Sequence, residues 1–392
     1  MATYNGFKSI EGKEFYERTL LHALKENNIL LQFAKKEKLP KNHGDTITWR
    51  KRKPVPVQRD ANGKVRTLIE GVTPSSNTLG FVEYKATIKE YGDWIPLTKK
   101  LTNLAIDPVL TEASEGLGES AGDTFDALML ETMYANPNVH FARNKNSSTL
   151  TASDTLQIAD LNRIKATFKK RNVKPFADGF YMLIISPEVE YDIKNDTTVN
   201  ASWVDISKYT ESEVKNIVKG EIGRIFGFKV VVYNKLETKP FYAKTSDQSV
   251  QADKTYYTLS NGVYTAVANP ADASLSSYYE VSFKAFKCIA MGKDGIGTVD
   301  LEGNSAAKPT VFYNKPGSQG DDQLHRKHSV AWCNEGFTAR IIYPEALSIV
   351  YIPTTLEIDD YVEGSNDVNY DSEINGTAGH YMTFDNADDS VL

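Results

Sequence analysis

The sequence predicts an α+β fold organised around one hairpin and one helix, each too long for an ordinary compact domain. Three observations carry this. Strand-like alternation begins at Asp45 and returns over Gly80–Thr98, with a turn-rich stretch between the two runs. A helical pattern opens at Asp107-Pro108 and continues to about Ala135. Short strand patterns then recur through the second half, at 179–186, 229–233, 282–291, 329–332, 338–343 and 348–352.

Residues 1–44 read as an arm. Glu14–Lys38 has a helical stripe of Phe15, Leu20, Leu21, Leu24, Leu31 and Phe33, interrupted by Asn27-Asn28, so short helices are expected there. Residues 45–98 read as a hairpin. Thr46, Thr48 and Arg50 alternate with Ile47 and Trp49, and the return run alternates through Phe81, Val82, Tyr84, Ile88, Tyr91, Trp94 and Ile95. Asp60-Ala-Asn-Gly63 and Gly71-Val-Thr-Pro74 supply turns between them. Two strands of ten or more residues would reach about 30 Å at ~3.3 Å per residue, beyond what a lone hairpin stabilises. Such an arm is expected to lie on the chain's own core or on another subunit.

In the long helix, Asp107 is the expected N-cap and Pro108 the first helical residue, with Asn136-Pro137 as the stop. Its stripe is Leu110, Ala113, Leu117, Ala121, Leu128 and Met133. Gly116, Gly118 and Gly122 interrupt a helix in which each costs roughly 1 kcal/mol relative to Ala. Small residues there let another backbone approach closely or let the helix bend. A second amphipathic helix is expected over Leu156–Arg171, a strand-to-helix turn at Pro187–Asp192, and a helix over Thr210–Gly220. Residues 237–278 are rich in Ser, Thr, Tyr, Asp and Lys and read as a surface insertion containing a hairpin, Tyr256–Val267, with an Asn261-Gly262 turn.

Composition removes several classes of protein. The 41% hydrophobic content excludes wholesale disorder, and no apolar run approaches the ~20 residues of a membrane helix. The N-terminal residues lack the charged-then-apolar order of a signal peptide. Cys288 and Cys333 make neither a disulfide framework nor a zinc pattern and read as two packed thiols. The 392 residues carry 45 basic and 51 acidic side chains, a net charge of −6, but the charge is polarised. Residues 1–66 hold 15 Lys/Arg against 7 Asp/Glu, whereas residues 356–392 hold 10 Asp/Glu and no Lys or Arg. A basic head and an acidic tail point to contacts between copies or with a polyanion.

The chemistry-bearing motifs are weak. Gly118-Glu-Ser120-Ala-Gly122 satisfies the G-x-S-x-G elbow of serine esterases, and His325 and His328 lie downstream. The residues before it are helical in pattern rather than a buried strand, which argues against the nucleophile. His325-Arg-Lys-His328 places two cations between its histidines, and Gly292-Lys-Asp-Gly-Ile-Gly297 lacks a P-loop ending, so a polar loop and a turn are expected. No cofactor and no metal is expected. The basic run Arg50-Lys51-Arg52-Lys53, with Arg59, Lys64 and Arg66 near the tip, reads as a surface that docks onto an acidic face of a neighbouring copy, with a solvated face and a nucleic-acid surface as the other readings.

In this order the parts resemble a family, the major capsid proteins of tailed bacteriophages, in the N4-like branch of the HK97 fold. Leu68-Ile-Glu-Gly-Val-Thr-Pro74 is similar to the family's tip motif and Lys89-Glu-Tyr-Gly-Asp-Trp-Ile-Pro-Leu97 to its return strand. Ile106–Ala113 with Leu117–Gly122 resembles the opening of its long helix; Gly220–Gly227 and Asp322–Trp332 are looser matches. The resemblance implies an N-terminal arm (1–44) and an extended loop (45–98). A peripheral domain (99–175) would follow, with a spine helix over 107–135, and then an axial domain (176–300) carrying the insertion. Strands 301–355 would return to the sheets, and an acidic tail (356–392) would close the chain. It implies a self-assembling, non-enzymatic subunit of an icosahedral virion head, in pentamers and hexamers, assembled in the bacterial cytoplasm. Expected partners are other copies, a portal, a separate scaffolding protein and packaged double-stranded DNA, with no membrane. The residues expected at contacts between subunits are Arg50, Arg52, Lys53, Arg59, Lys64, Arg66, Glu70, Trp94, Gly118 and Gly122. A tail or decoration protein, and an esterase using Ser120, are the alternatives.

Overall fold

The computed structural model describes residues 16–25, 28–60, 62–68, 70–104, 108–195, 221–244, 255–260, 263–267, 278–302, 306, 308–314 and 324–356. The helix expected at Thr210–Gly220, the Asp107 cap, the Asn261-Gly262 turn and the acidic tail from 357 onward fall outside them.

The opening helix, α1 (residues 16–25), buries Leu20, Ala23 and Leu24, the i, i+3, i+4 face of one stripe. The helical expectation for the arm ends early. A single 3-10 turn, Leu30–Phe33, leads into strand β1 (Lys35–Leu39), which pairs in parallel with β13 (Ile296–Leu301). Pairing to a buried strand overrides the helix propensity of Lys-Lys-Glu-Lys-Leu.

Strand β2 (Thr46–Arg52) and β3 (Phe81–Thr87) form a separate two-stranded antiparallel ladder of seven residue pairs. That is about 23 Å at ~3.3 Å per residue, shorter than the alternation implies. The return run is divided at Ile88. Its second half, β4 (Lys89–Thr98), leaves the hairpin and pairs with β15 (Lys327–Ile341) in a five-stranded sheet with β1, β13 and β14 (Thr310–Asn314). β15 is one continuous strand of 15 residues rather than two, because a bulge between Asn334 and Phe337 absorbs the Asn-Glu-Gly sequence that reads as a break.

After α2 (Lys99–Leu104) comes the long helix α3 (Val109–Tyr134), 26 residues and about 39 Å at 1.5 Å per residue. It begins one residue later than the sequence implies: Pro108 is its cap, its carbonyl accepting from Thr111 and Glu112. The buried face is broader than the expected stripe. Phe125 and Met129 are fully buried and Leu128 is not, and the ring of Phe125 meets Phe337 and Trp332 of β15 at 5.0 and 5.6 Å.

The second sheet has nine strands, with β12 (Tyr279–Met291) as its axis. One edge of β12 carries β9 (Thr238–Lys244) and then β6 (Tyr181–Ile185); the other carries β10 (Tyr256–Ser260) and β16 (Leu347–Pro353). β8 (Phe228–Val232) extends the sheet in parallel from β6, and β7 (Glu221–Ile225) follows through a Phe226-Gly227 turn with positive φ at both residues. β5 (Val139–Phe141) flanks β16, and β11 (Val263–Val267) completes the expected hairpin with β10. The 237–278 stretch is therefore not wholly an insertion on the surface: β9 pairs with β12 over most of its length and buries Phe241. Helices α4 (Ile158–Lys170) and α5 (Pro187–Asn195) cover this sheet where the sequence placed them. One apolar core joins α1, α3, α4, α5 and both sheets.

Candidate assembly surface

The hairpin is divided into a docked base and a projecting tip. Alternation puts Ile47, Trp49 and Lys51 on one face and Thr46, Thr48, Arg50 and Arg52 on the other. Trp49, only 5% exposed, packs with Leu39, Ala86, Val299 and Ile342, a small cluster that fixes the base to the five-stranded sheet. Lys51 reaches inward to an ion pair with Glu345, and its ammonium lies 4.6 Å from the centre of the Tyr343 ring. Burial pulls this lysine below the usual ammonium range.

The opposite face and the tip are open. Arg50 pairs with Glu83 at 3.0 Å, with both side chains well exposed. Arg52 and Lys85 share that face without a carboxylate partner among the described residues. Beyond the ladder the Lys53 amide donates to Gly80 O at 2.8 Å, closing the strands at the start of the tip. At the far end Asp60 Oδ1 accepts from the amides of Asn62 and Lys64, Gly63 takes φ +76°, and Arg59 donates to Gly63 O at 2.7 Å. Arg66 donates to Ser75 Oγ, and Glu70 stands exposed beside Gly71. These bonds are local, so the tip holds its own shape without support from the core. No described residue between 53 and 80 is buried.

Seven expected contact residues therefore come together: Arg50, Arg52, Lys53, Arg59, Lys64, Arg66 and Glu70 all lie on the hairpin. The other three do not join them. Trp94 sits on the outward face of β4, 57% exposed, and shares a cross-strand row with Ala331 and Phe312. Gly118 and Gly122 are buried in α3, and the space in front of Gly118 is occupied by this chain's own α1: a Cβ there would overlap Leu20 O and lie 2.8 Å from Ala23 Cβ. Ser120 lies in the middle of α3, not on a strand-to-helix turn, so the elbow geometry is absent. Gly292–Gly295 forms the turn between β12 and β13, while Gly297 lies inside β13, and Cys288, fully buried, has its thiol pushed up to about 12 by loss of solvent. Among the described residues no group of three or more His, Cys, Asp or Glu is placed to hold a metal ion.

The apolar side chains of the tip escaped the sequence reading. Val57 and Val65 are 63% exposed and Leu68 is 78% exposed; Val55, Val72, Leu79 and Phe81 are also open. Their signal was the recurrence of large apolar residues from Val55 to Leu79, a stretch with no strand or helix period to bury them.

A family model described as phage capsid protein matches residues 82–307, more than half of the chain. Solved structures similar in fold include the capsid of Ralstonia phage GP4, with a TM-score of 0.57 and 9% identity over 85% of this chain and 93% of that one. The cyanophage Pam1 capsid scores 0.51 at 13% identity over 84% and 90%, and the capsid of Helicobacter pylori bacteriophage KHP30 scores 0.50 at 10% over 81% and 87%. No curated protein matches the sequence. With its over-long helix, paired sheets and projecting hairpin, the chain belongs to the phage capsid protein family and is a tailed-phage major capsid protein of the HK97-like fold.

Proposed function

We propose that copies of this chain assemble into pentamers and hexamers that close an icosahedral head around double-stranded DNA, with the hairpin of one copy lying over its neighbour. The carrying observation is the tip: residues 53–80 present apolar and cationic side chains together, and none of the described residues of their own chain covers them. Contiguous exposed apolar surface on a folded chain marks an interaction site. Residues 45–98 then act as the extended loop, 99–175 as the peripheral domain with α3 as its spine, and 176–300 as the axial domain; the motif resemblance favours the N4-like branch.

Energetics favour many moderate contacts. A standard interface buries about 800 Å² per partner, and ordering and association consume most of the gross gain. Several such contacts per subunit close a stable shell while single ones remain reversible enough to correct errors. Arg50, Arg52, Lys53, Arg59, Lys64, Arg66 and Glu70 act at the hairpin contact. Trp94 serves a second one through its outward row with Phe312, and Gly118 and Gly122 shape the spine. The chain acts structurally rather than as an enzyme, assembles in the host cytoplasm, and works with a portal, a separate scaffolding protein and non-specifically bound DNA on the inner face.

Negative-stain microscopy of the purified chain tests this. Shells or capsomer rings are expected. They should disappear when residues 56–75 are replaced by a short Gly-Ser link, while the variant's melting temperature stays near that of the parent. Intact shells from the shortened chain, or a clean monomer from the parent at high concentration, would overturn the proposal.

A further inference from the structure

The hairpin carries eight basic against three acidic side chains over residues 46–87. Its acids are largely committed: Asp60 closes the tip turn and Glu83 pairs with Arg50. Lys51 is turned inward to Glu345. What faces outward is therefore cationic. Arg52, Lys53, Lys64 and Lys85 are exposed and have no side-chain partner among the described residues. Such a surface fits a polyanion, and the apolar side chains beside it fit one that also carries aromatic and aliphatic groups.

The same chain holds a segment of that chemistry. Residues 357–392 contain ten Asp/Glu and no Lys or Arg, interspersed with Ile358, Tyr361, Val362, Tyr370, Ile374, Tyr381 and Phe384. The path of the chain sets where that segment starts. Glu345 touches the hairpin base, but β16 then carries the chain seven residues away, about 23 Å at ~3.3 Å per residue, to where Thr355 donates to Asp192 of α5. The C-terminal segment thus starts beside the nine-stranded sheet, at the far end of β16 from its own hairpin. We infer that the acidic C-terminal segment of a neighbouring copy is the occupant of the cationic outer face of the hairpin. The inference rests on the proposed function only in taking the neighbour to be another copy; the contact itself requires no shell.

The test uses the full chain, kept below the concentration at which it assembles, and a fluorescent synthetic peptide of residues 357–392. Anisotropy is expected to show saturable binding that weakens by at least about tenfold between roughly 50 and 300 mM salt, as exposed charges become screened. A peptide with its ten carboxylates converted to amides should not bind. The quadruple variant Arg52→Gln, Lys53→Gln, Lys64→Gln, Lys85→Gln changes only exposed side chains; it should melt like the parent and lose the peptide. Equal binding by parent and quadruple variant would overturn the inference. So would a quadruple variant that keeps the peptide but loses a duplex oligonucleotide, since the face would then serve nucleic acid. A third full-length chain, with its own ten tail carboxylates amidated, addresses the source. It should bind peptide as the dilute parent does; much tighter binding than the parent would mean that each tail already covers its own hairpin, and would overturn the assignment to a neighbour. Failure of the shell proposal leaves these binding results intact, so the two are separable.

Discussion

The carbonyl oxygen of Leu20 lies against the Cα of Gly118, in the space a methyl group on that glycine would need. Helix α1 thereby crosses the spine at backbone distance, and this contact is what a glycine inside a long helix secures. Gly116, two residues earlier, is exposed and meets nothing within 4 Å.

The two glycines should respond to substitution with opposite signs. Gly118→Ala gains ~1 kcal/mol of helix propensity but forces an overpacked contact costing up to ~3 kcal/mol, a net loss of about 1–2 kcal/mol. Gly116→Ala keeps the propensity gain and should stabilise by up to ~1 kcal/mol. Urea unfolding of both variants decides it; equal effects would mean that the α1 crossing contributes nothing.

Asp126, fully buried in α3, holds the arm at a second point by accepting the amides of Ile29 and Leu30, each at 3.0 Å. Asp126→Ala leaves two amides without that acceptor and should cost about 3 kcal/mol, at ~1–3 kcal/mol for each orphaned donor. Asp126→Asn retains one acceptor oxygen and should cost less. The arm should then be cleaved first near residue 30 in limited proteolysis; an unchanged digestion pattern would refute the anchoring role.

At the hairpin base, Trp49→Ala should cost about 3–5 kcal/mol, the usual range for emptying a buried tryptophan site. The base-sheet cluster is small, so the loss should appear as undocking of the hairpin. Residues 46–87 are expected to gain protease sensitivity before the nine-stranded sheet unfolds.

Asp154 supplies a pH-dependent contribution. Burial alone would raise its carboxyl, but Lys145 and the amide and hydroxyl of Thr151 outweigh burial and hold it below the usual carboxylate value of 3.8. A carboxylate depressed in the folded state stabilises fully above 3.8, and that stability is lost as pH falls from there through the folded value. Chemical denaturation of Asp154→Asn should show a shallower stability loss below about pH 4 than the parent. A parallel loss in both chains would remove Asp154 from the account.

What the sequence discloses and what it hides follow one physical line. Strands with one face in solvent show their alternation, so the inward Trp49 and outward Arg50 and Arg52 were readable, as was α3 from its stripe and its Asn136-Pro137 stop. Lys51 was read with its neighbours as surface charge, because its partner Glu345 lies 294 residues away and no local pattern records it. β13 was hidden because a strand buried on both sides has no alternation, and its Gly297 reads as a turn; that glycine is where a Cβ would overlap Ile342. β1 was hidden because an edge strand rich in lysine has helical composition and gains its conformation from pairing. The site divided in the same way. The charges were countable in the sequence, but the exposure of Val57, Val65 and Leu68 emerged only once no element was found to bury them.

The central claim is that another copy covers the hairpin tip. Hydrogen–deuterium exchange of the full chain, compared between dilute subunits and assembled particles, reads this directly. Amides 53–80 are expected to exchange fast in dilute subunits and to become strongly protected on assembly, with little change in the already buried β6 and β8. Equally fast exchange of 53–80 in both states would contradict it.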